Sequence, residues 1–377
     1  MEFVTEIIGK DCYILLIYLG LIAVILIMGF LFSINGFTKT NKIFFLIIVG
    51  VVLILVQGLR RYDVGSDTLN YVYIYKNANS LSYDQILNTE SFVEKGYLIY
   101  NKLLGNISPN NPQLMIFINA ILINVPILIF IYKNAKYIVF STLLYVIMYF
   151  YIDSFAIMRQ FIAIGIILLG FEFLKRNNLI LFVLFVLFAS LFHSSAIIML
   201  LLPVLYYLKP TFKVSLFISI AAVLVCGILI ISPNLIYSIA GRYTSYLGTD
   251  WGASADIGGI YIKYISEIIL AFVGIYLLSS NKIKFEGNDR QMLFLSSSLS
   301  IFSGVTGFLR TIVSVIYRLS YYFSLFELLL IPLIVYYLFK EKTLTKVIVA
   351  SLFGVYYIYL LSVNFAGVVP FHFFWEN

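Results

Sequence analysis

Charged residues are scarce in this sequence, at 11% of its 377 residues, whereas hydrophobic residues make up 62%. Soluble globular domains carry about 25% charged and roughly 45–50% apolar residues. The shortage of charge therefore excludes a soluble domain, and the net charge of +7 does not indicate a nucleic-acid partner. A mean hydropathy of +1.00 predicts an all-α polytopic integral membrane protein, whose surroundings are the lipid bilayer.

The sequence also has few cysteines and lacks the common cofactor motifs. The chain has two cysteines, Cys12 and Cys226, which we expect at different membrane depths, so we expect them to be packing residues and not a disulfide. The sequence contains no DxD, HExxH, CxxC or Walker motif, the patterns that would indicate metal or nucleotide chemistry. We therefore expect neither a metal site nor a cofactor.

What the sequence does contain is a series of apolar runs bounded by charged residues. A spanning helix needs about 20 predominantly apolar residues, and the runs predict about 12 transmembrane helices in a single multi-span domain, residues 1–377. The sixth and seventh runs are short, so a re-entrant hairpin is the alternative there. The predicted spans are Tyr13–Ile34, Ile43–Leu59, Leu114–Tyr132, Tyr137–Ile152, Phe155–Leu174, Leu179–Phe192, Ala196–Leu208, Val214–Ile231, Ile260–Leu278, Met292–Leu309, Tyr317–Phe339 and Val347–Val363.

The basic residues predict the orientation of these spans. Lysine and arginine collect in loops on the cytoplasmic side of membrane proteins, and alternate loops of this chain hold 14 of its 25 basic residues. The pattern predicts that both termini lie outside. The loop residues are Lys39, Lys42, Lys133, Lys136, Lys175, Arg176, Lys209, Lys213, Lys282, Lys284, Arg290, Lys340, Lys342 and Lys346.

Two long segments then lie on the outer side. Residues 60–113 follow the second span, and Val93, Tyr97, Tyr100 and Leu104 recur within them at helical spacing. This spacing predicts an amphipathic helix lying in the membrane interface. Residues 232–259 form a second outer loop, whose tyrosine, tryptophan and glycine suit an aromatic belt or the stacking of sugars.

Ionisable residues inside or at the edge of apolar spans are costly and are commonly functional. Each has a simpler interpretation: an arginine can snorkel to the headgroups, His193 can be a packing residue, Asp67 can belong to a turn, and Glu94 can be solvated. Six of the eight arginines nevertheless face outward, against the usual preference. The residues concerned are Arg60, Arg61, Asp67, Glu94, Arg159, His193, Arg242, Arg310 and Arg318.

Arginine has a specific chemical use at such a place. A guanidinium stays charged and presents a planar fork that matches phosphate oxygens. The outward-facing arginines therefore predict a site for a lipid linked through phosphate or pyrophosphate. Nearby carboxylates and a histidine add candidate acid and base groups.

Five segments resemble the EpsG family of Wzy-type polymerases of bacterial O-antigen, capsule and exopolysaccharide. They are "LRRYDVGSDTLNY" (59–71), "EKGYLIYNKLL" (94–104), "MRQFIAIGI" (158–166), "FHSSAIIMLLLP" (192–203) and "RLSYYF" (318–323). The R-x-x-x-V-G-x-D-T pattern and the F-H-S-S element are the more specific parts. Arg60 fits the spacing of the family arginine, although Arg61 stands directly beside it.

The resemblance implies a GT-C-like, metal-independent glycosyltransferase at the outer face of the bacterial plasma (inner) membrane. Such an enzyme transfers a growing glycan from undecaprenyl pyrophosphate onto a new lipid-linked oligosaccharide repeat unit, and a Wzz-like chain-length regulator is the implied partner. Arg159 and Arg318, with Arg60 or Arg61, would bind the pyrophosphate. His193, or else Asp67 or Glu94, would accept the proton from the acceptor hydroxyl.

Two other functions fit parts of the same pattern. A flippase of lipid-linked oligosaccharides should show polar residues at mid-membrane and repeat symmetry, whereas these charges favour one leaflet and no internal repeat is evident. An O-antigen ligase would share the donor and a large outer loop. The sugars, the linkage and the anomeric outcome do not follow from the sequence.

Overall fold

The computed structural model describes residues 12–34, 36–88, 90–232, 258–312, 314–339 and 343–376. Apart from one isolated bridge between Arg60 and Phe373, these residues form helices and connecting turns. The second outer loop, residues 232–259, with Arg242, falls almost wholly outside the described residues.

Seventeen α-helices are described, which we number in chain order. The first nine are α1 (Cys12–Ser33), α2 (Lys39–Gly58), α3 (Thr68–Ser80), α4 (Tyr83–Asn88), α5 (Lys95–Ile107), α6 (Pro112–Asn134), α7 (Ile138–Ile147), α8 (Phe150–Ala156) and α9 (Met158–Leu174). The remaining helices are α10 (Leu179–Ser190), α11 (Leu201–Tyr207), α12 (Phe212–Ile231), α13 (Gly258–Ser279), α14 (Asp289–Phe308), α15 (Ser320–Ser324), α16 (Glu327–Phe339) and α17 (Thr343–Ser362). Short 3₁₀ segments cover Ser194–Leu200, Leu309–Thr311 and Ser314–Leu319.

The helices fit a membrane protein. Among the described residues, six helices are long and apolar enough to cross a membrane, or up to eight if each of two bent pairs is one span. Every predicted span overlaps at least one helix, but α10 is short for a crossing, and the five serines of α14 lower its hydropathy. The total of about 12 spans, the GT-C-like architecture and the orientation stay predictions.

Two predicted spans are sharply bent. Tyr137–Ile152 is divided into α7 and α8, which meet at 46°, because Tyr149 adopts a left-handed φ of 73° that no α-helix contains. The span Tyr317–Phe339 bends by 48° in front of Glu327. Neither break has a proline or glycine at its centre, so the sequence offered no local signal for it.

The chain divides into two compact units, the first made of residues 1–198 with 347–377 and the second of residues 199–346. In the first unit, α9 packs against α6 and α10, and α2 packs against α6. A buried polar network crosses this packing: Asn124 Nδ2 donates to Gln57 Oε1 at 2.5 Å, and Gln57 Nε2 donates to Ser154 Oγ at 2.8 Å. Hydrogen bonds of this kind stabilise helix association where no water competes.

A close approach brings α9 against α6. A Cβ atom added to Gly165 would lie 3.0 Å from the carbonyl oxygen of Leu122 and 3.2 Å from the ring of Pro126. Pro126 has no N–H to donate to that carbonyl, so the exposed oxygen faces the α9 backbone. Glycine therefore permits the contact that holds α9 in position.

The C-terminal segment folds back onto the turn that follows α2. Phe374 N donates to Leu59 O at 2.9 Å, Arg61 N donates to His372 O at 2.8 Å, and Gly65 N donates to Gly367 O at 2.7 Å. The C-terminus and the beginning of the 60–113 segment therefore lie at the same end of the first unit's helices. The predicted topology requires this relation.

In the second unit, α13, α14 and α16 pack together, and α12 packs against both α13 and α14. The thiol of Cys226 is buried on α12 and donates to Val305 O at 3.4 Å. Cys226 is therefore a packing residue, as expected.

Candidate functional site

The site begins at the first turn of α9, which carries Arg159. Helix α8 ends at Ala156, Ile157 interrupts the helical path, and α9 starts at Met158. This places the guanidinium at the end of α9 that faces the 60–113 segment. Its side chain is 20% exposed, so the group is largely enclosed and still reachable from outside.

Glu94 reaches the same place from the turn that precedes α5. A Cβ atom added to Gly96 would lie 2.5 Å from the Leu191 Cβ and 2.6 Å from the Leu191 carbonyl oxygen. Glycine thus allows the first turn of α5 to dock on the turn after α10, where Tyr97 N donates to Leu191 O at 3.1 Å. The docking holds Glu94 beside His193.

His193 lies in the turn between α10 and the 3₁₀ segment Ser194–Leu200. Its backbone N–H donates to Ala189 O at 3.1 Å, and the following Ser194 N–H donates to Glu94 Oε1 at 3.0 Å. The carboxylate is therefore held by the backbone next to the imidazole. A negative charge at the amino end of a helical segment is favourable.

The three side chains form one ionic cluster. Arg159 Nη1 lies 2.5 Å from Glu94 Oε2, and His193 Nδ1 lies 3.7 Å from Glu94 Oε1. We call Glu94, Arg159, His193 and the Ser194 N–H the Glu94 cluster. Burial raises the pKa of the Glu94 carboxyl, but the charges of Arg159 and His193 and the Ser194 hydrogen bond outweigh it, so the pKa is lowered. The carboxylate is therefore ionised at neutral pH.

Aromatic side chains form a wall beside the cluster. The Arg159 Cζ lies 5.8 Å from the centre of the Tyr97 ring, a cation–π distance. Phe192 packs against both Tyr97 and Tyr100, with ring centres 6.5 and 5.8 Å away. The spacing of Tyr97 and Tyr100 predicted a helix, and α5 is that helix.

Arg60 has a different environment from Arg159. Its side chain has no exposed surface, and it donates to the carbonyl oxygens of Gln57, Val64 and Phe155, while its Cζ lies 4.6 Å from the Phe155 ring centre. Burial lowers the pKa of Arg60 to about 10. These contacts connect the end of α2 to the end of α8, which favours a structural role.

Arg61 and Asp67 lie on the surface of the same turn. Arg61 forms a forked pair with Asp63, at 2.9 and 2.6 Å, and this hydrogen bonding lowers the pKa of the Asp63 carboxyl. Asp67 precedes α3 and makes no side-chain cap to it. The Arg61 guanidinium is therefore paired with a carboxylate of its own turn.

The predicted Arg318 belongs to the second unit, at the end of the 3₁₀ segment Ser314–Leu319. Arg310 lies in the same unit, buried, with its Cζ 4.7 Å from the Tyr317 ring centre. Of the seven predicted site residues, the structure thus brings together Glu94, Arg159 and His193. The roles predicted for all seven residues, in pyrophosphate binding or in catalysis, stay predictions.

Two carboxylates that are buried inside predicted spans were not selected from the sequence. Glu267 on α13 is 1% exposed, and Glu327 at the start of α16 is fully buried. Both lie inside predicted spans, so the rule that selected Arg159 could have selected them too. Among the described residues, no three histidine, cysteine or acidic side chains come together as a metal site would require.

A cavity of about 350 Å³ lies elsewhere in the first unit, between α2 and α6. Its lining is apolar except for Tyr132 and includes Leu46, Gly50 and Leu128. None of the predicted site residues contributes to it, so it is separate from the Glu94 cluster.

Comparison with known families gives one match. The model of the EpsG family matches residues 42–373, which covers α2 to the C-terminal segment and includes every predicted site residue. No curated protein matches the chain, and no solved structure matches it.

Proposed function

Since the chain belongs to the EpsG family, which suggests a polysaccharide polymerase-type role, we propose that it polymerises oligosaccharide repeat units carried on undecaprenyl pyrophosphate. The reaction takes place at the outer face of the bacterial plasma membrane and uses no metal ion. The observation that carries the proposal is the convergence of Glu94, Arg159 and His193 from three separate segments at one end of α9.

His193 is the base in this mechanism. Its Nδ1 faces the Glu94 carboxylate, which leaves Nε2 to accept the proton of the acceptor hydroxyl. The hydroxyl oxygen then bonds to the anomeric carbon of the growing chain as the bond from that carbon to the pyrophosphate oxygen breaks. Glu94 stabilises the imidazolium that results, as a buried carboxylate does for a catalytic histidine.

Arg159 stabilises the leaving group. A guanidinium has five N–H donors, and the bond to Glu94 uses Nη1. Tyr71 is a second hydrogen-bond partner of this guanidinium. The donors that neither Glu94 nor Tyr71 uses can bind the diphosphate, whose negative charge grows as the glycosyl bond breaks.

The test replaces His193 with Ala and with Gln in a strain that lacks the chromosomal gene. Loss of a general base lowers rates by about 10²–10⁴-fold, so single repeat units should accumulate on the lipid carrier while long polymer disappears. The chain supplies a matched control in its other histidine, because His372 Nδ1 lies 3.5 Å from Glu376 Oε2. His372→Gln should leave polymer length unchanged.

The same strains measure the outcome that would reject this role. Wild-type polymer from His193→Gln, at equal protein level in the membrane, would remove His193 from catalysis. Equal loss in His193→Gln and His372→Gln would attribute the defect to folding.

One observation favours a second function, transport of the lipid-linked oligosaccharide. Glu327 stands at the break of a bent helix and Glu267 lies near the middle of α13, a pattern found in ion-coupled transporters. A flippase and a polymerase differ in the side on which carrier-linked repeats accumulate after gene deletion. Accumulation on the cytoplasmic side would support the flippase, and accumulation on the outer side supports the polymerase.

A further inference from the structure

The second unit encloses two carboxylates that the mechanism above does not use. Glu267 lies on α13, within the apolar span Tyr261–Ser279, and Glu327 is the first residue of α16. Their side chains are 1% and 0% exposed. They are close enough to interact electrostatically with each other. We call Glu267 and Glu327 the carboxylate pair.

A serine on α14 joins the two helices that carry the pair. Ser300 Oγ lies 2.6 Å from Glu327 Oε1 and 2.8 Å from the Glu267 carbonyl oxygen. A hydroxyl has one proton to donate, so Ser300 satisfies one of these acceptors at a time. The contact fixes the side chain of Glu327 next to the α13 backbone.

The remaining oxygens of the pair are left without hydrogen bonds. Glu267 Oε1 and Oε2 and Glu327 Oε2 have no hydrogen-bond partner among the described residues, although Ser303 lies near Glu267. An ionised carboxylate buried without partners is far more costly than a neutral polar group. The pair therefore needs a positive charge, which can be a proton.

Two buried serines without hydrogen-bond partners among the described residues lie one helical turn along the chain from Ser300 or Glu327. Ser296 lies one turn from Ser300 on the same face of α14, and Ser324 lies one turn before Glu327. The Oγ atoms of Ser296, Ser320 and Ser324 are buried and make no hydrogen bond to the described residues. Hydroxyl and carboxylate oxygens that make no hydrogen bond are suitable ligands for a small cation.

The ionised side chains at the pair determine how much positive charge a bound cation must supply. Lys263, one turn before Glu267, interacts electrostatically with both carboxylates, and its Nζ lies 4.4 Å from the Tyr321 ring centre. Two carboxylates and one ammonium carry a net charge of minus one. One monovalent cation neutralises the set.

The elements packed against the pair carry other ionisable groups, most of them tyrosines. Between Gln291 and Phe308, α14 contributes none. The ionisable side chains on the neighbouring described elements are Lys213, Cys226, Tyr261, Tyr264, Tyr276, Asp289, Arg290, Arg310, Tyr317, Arg318, Tyr321, Tyr322, Tyr336 and Tyr337. Lys263 is the cation among all of these that acts on both carboxylates.

We propose that Glu267 and Glu327, with the hydroxyls of Ser296, Ser300 and Ser324, form a buried site for one monovalent cation, either a proton or Na⁺. The site belongs to the second unit and does not depend on the reaction proposed for the Glu94 cluster. The break in front of α16 supplies its geometry, since half-helices that begin inside the membrane are common places for coupling ions.

The test measures the thermal unfolding midpoint of the full-length protein in lipid nanodiscs. One series varies pH without sodium, and another replaces choline chloride by NaCl at constant ionic strength. A proton held by the folded protein alone makes the folding constant fall tenfold per pH unit over the range in which it is bound. Bound Na⁺ instead raises the midpoint with its concentration.

Glu267→Gln and Glu327→Gln each replace a charge by a neutral amide of the same shape. Either variant removes the need for a cation, so the dependence seen in the wild type should disappear, while Glu172→Gln in the first unit should retain it. Glu327→Gln keeps an oxygen that accepts from Ser300. A pH response identifies the proton and a sodium response identifies Na⁺.

An infrared measurement on the wild type keeps the proposal testable if neither variant folds. A protonated carboxyl band at pH 7, or its absence together with a sodium-dependent midpoint, supports the site. A midpoint independent of both ions with no such band rejects it, and so does a wild-type response that both variants share.

Discussion

The two ends of helix α9 each hold a carboxylate between two basic groups. At one end Glu94 pairs with Arg159 at 2.5 Å and lies 3.7 Å from His193. At the other end Glu172 lies 2.9 Å from Lys175 Nζ and 3.7 Å from Lys133 Nζ, and it accepts a hydrogen bond from Asn134 at 3.0 Å. Arg159 and Glu172 are about 20 Å apart along the helix at 1.5 Å per residue.

The difference between the ends lies in the basic groups, because the carboxylates are similarly buried at 9% and 13% exposure. Ammonium groups at the Glu172 end are compact charges with no acceptor. The Glu94 end has a guanidinium, which binds phosphate through a planar fork, and an imidazole, which exchanges protons near neutral pH. A buried ion cluster is therefore not a site by itself, and its partners decide what it can do.

Neutralising each carboxylate in turn tests this difference with the largest expected effect. Glu94→Gln should lower polymerisation by about 10³–10⁴-fold, because His193 loses the charge that orients and stabilises its protonated form. Glu172→Gln removes an equivalent charge from the other end and should leave polymerisation near the wild-type rate. The measurement is the initial rate with purified protein and lipid-linked repeat units.

In Glu94→Gln and Glu172→Gln, a loss of activity through unfolding has to be distinguished from a direct effect on the reaction. Removing one partner of an enclosed ion pair is destabilising, so both proteins should unfold at lower temperature than the wild type. Equal rates for Glu94→Gln and the wild type would show that the carboxylate has no role in the reaction. Equal inactivation of the two variants would mean that only packing had been tested.

Exchanging the basic residues at the two ends of α9 tests the same difference, with a smaller expected effect on the rate. Arg159→Lys keeps a charge near Glu94 but loses the fork that can hold the carboxylate and a diphosphate together, so kcat should fall about 100-fold. Lys175→Arg keeps the pair with Glu172 and should leave kcat unchanged.

A fall in kcat with little change in KM distinguishes diphosphate stabilisation from substrate binding. If Arg159→Lys has the wild-type kcat, the guanidinium serves Glu94 alone and the proposed contact with the leaving group is wrong.

The sequence predicted the helical membrane class and the positions of the apolar helices because apolar runs report burial in lipid directly. Within residues 60–113 it predicted α5 but not α3 or α4. It did not predict the breaks at Tyr149 and before Glu327. A left-handed tyrosine is unfavourable locally and persists only where tertiary packing imposes it. Here the Tyr149 ring packs against Tyr357 and Phe365 of the C-terminal region, with ring centres 5.8 and 6.3 Å away.

The candidate site also combines features that the sequence predicted with features that it did not. The cost of placing charge at the edge of apolar spans predicted Arg159, Glu94 and His193 as separate site residues, and it predicted Arg60 on the same ground. The contacts of Arg60 with Gln57, Val64 and Phe155 become visible only when α8 and the turn after α2 are in place. Which arginine faces a substrate and which one joins helices is a property of the tertiary structure.

The smallest effect on the polymerisation rate is expected from substituting the glycines that pack at the two ends of α9. A Cβ on Gly96 would meet the Leu191 backbone at 2.6 Å, and one on Gly170 would meet the Phe185 side chain at 2.7 Å. Overpacking costs about 1–3 kcal/mol in either place, so Gly96→Ala and Gly170→Ala should show similar losses of thermal stability. Only Gly96→Ala moves Glu94 away from His193, because the Leu191 backbone cannot yield as a side chain can.

The polymerisation rates of Gly96→Ala and Gly170→Ala test whether activity depends on side-chain position only at the Glu94 end of α9. A displacement of a few tenths of an ångström in a reacting group lowers the rate by about tenfold, and we expect that loss from Gly96→Ala at saturating substrate. Gly170→Ala should keep the wild-type rate despite its lower melting temperature. Matching losses of rate in both variants would show that activity follows the stability of α9 and not the geometry of the Glu94 cluster.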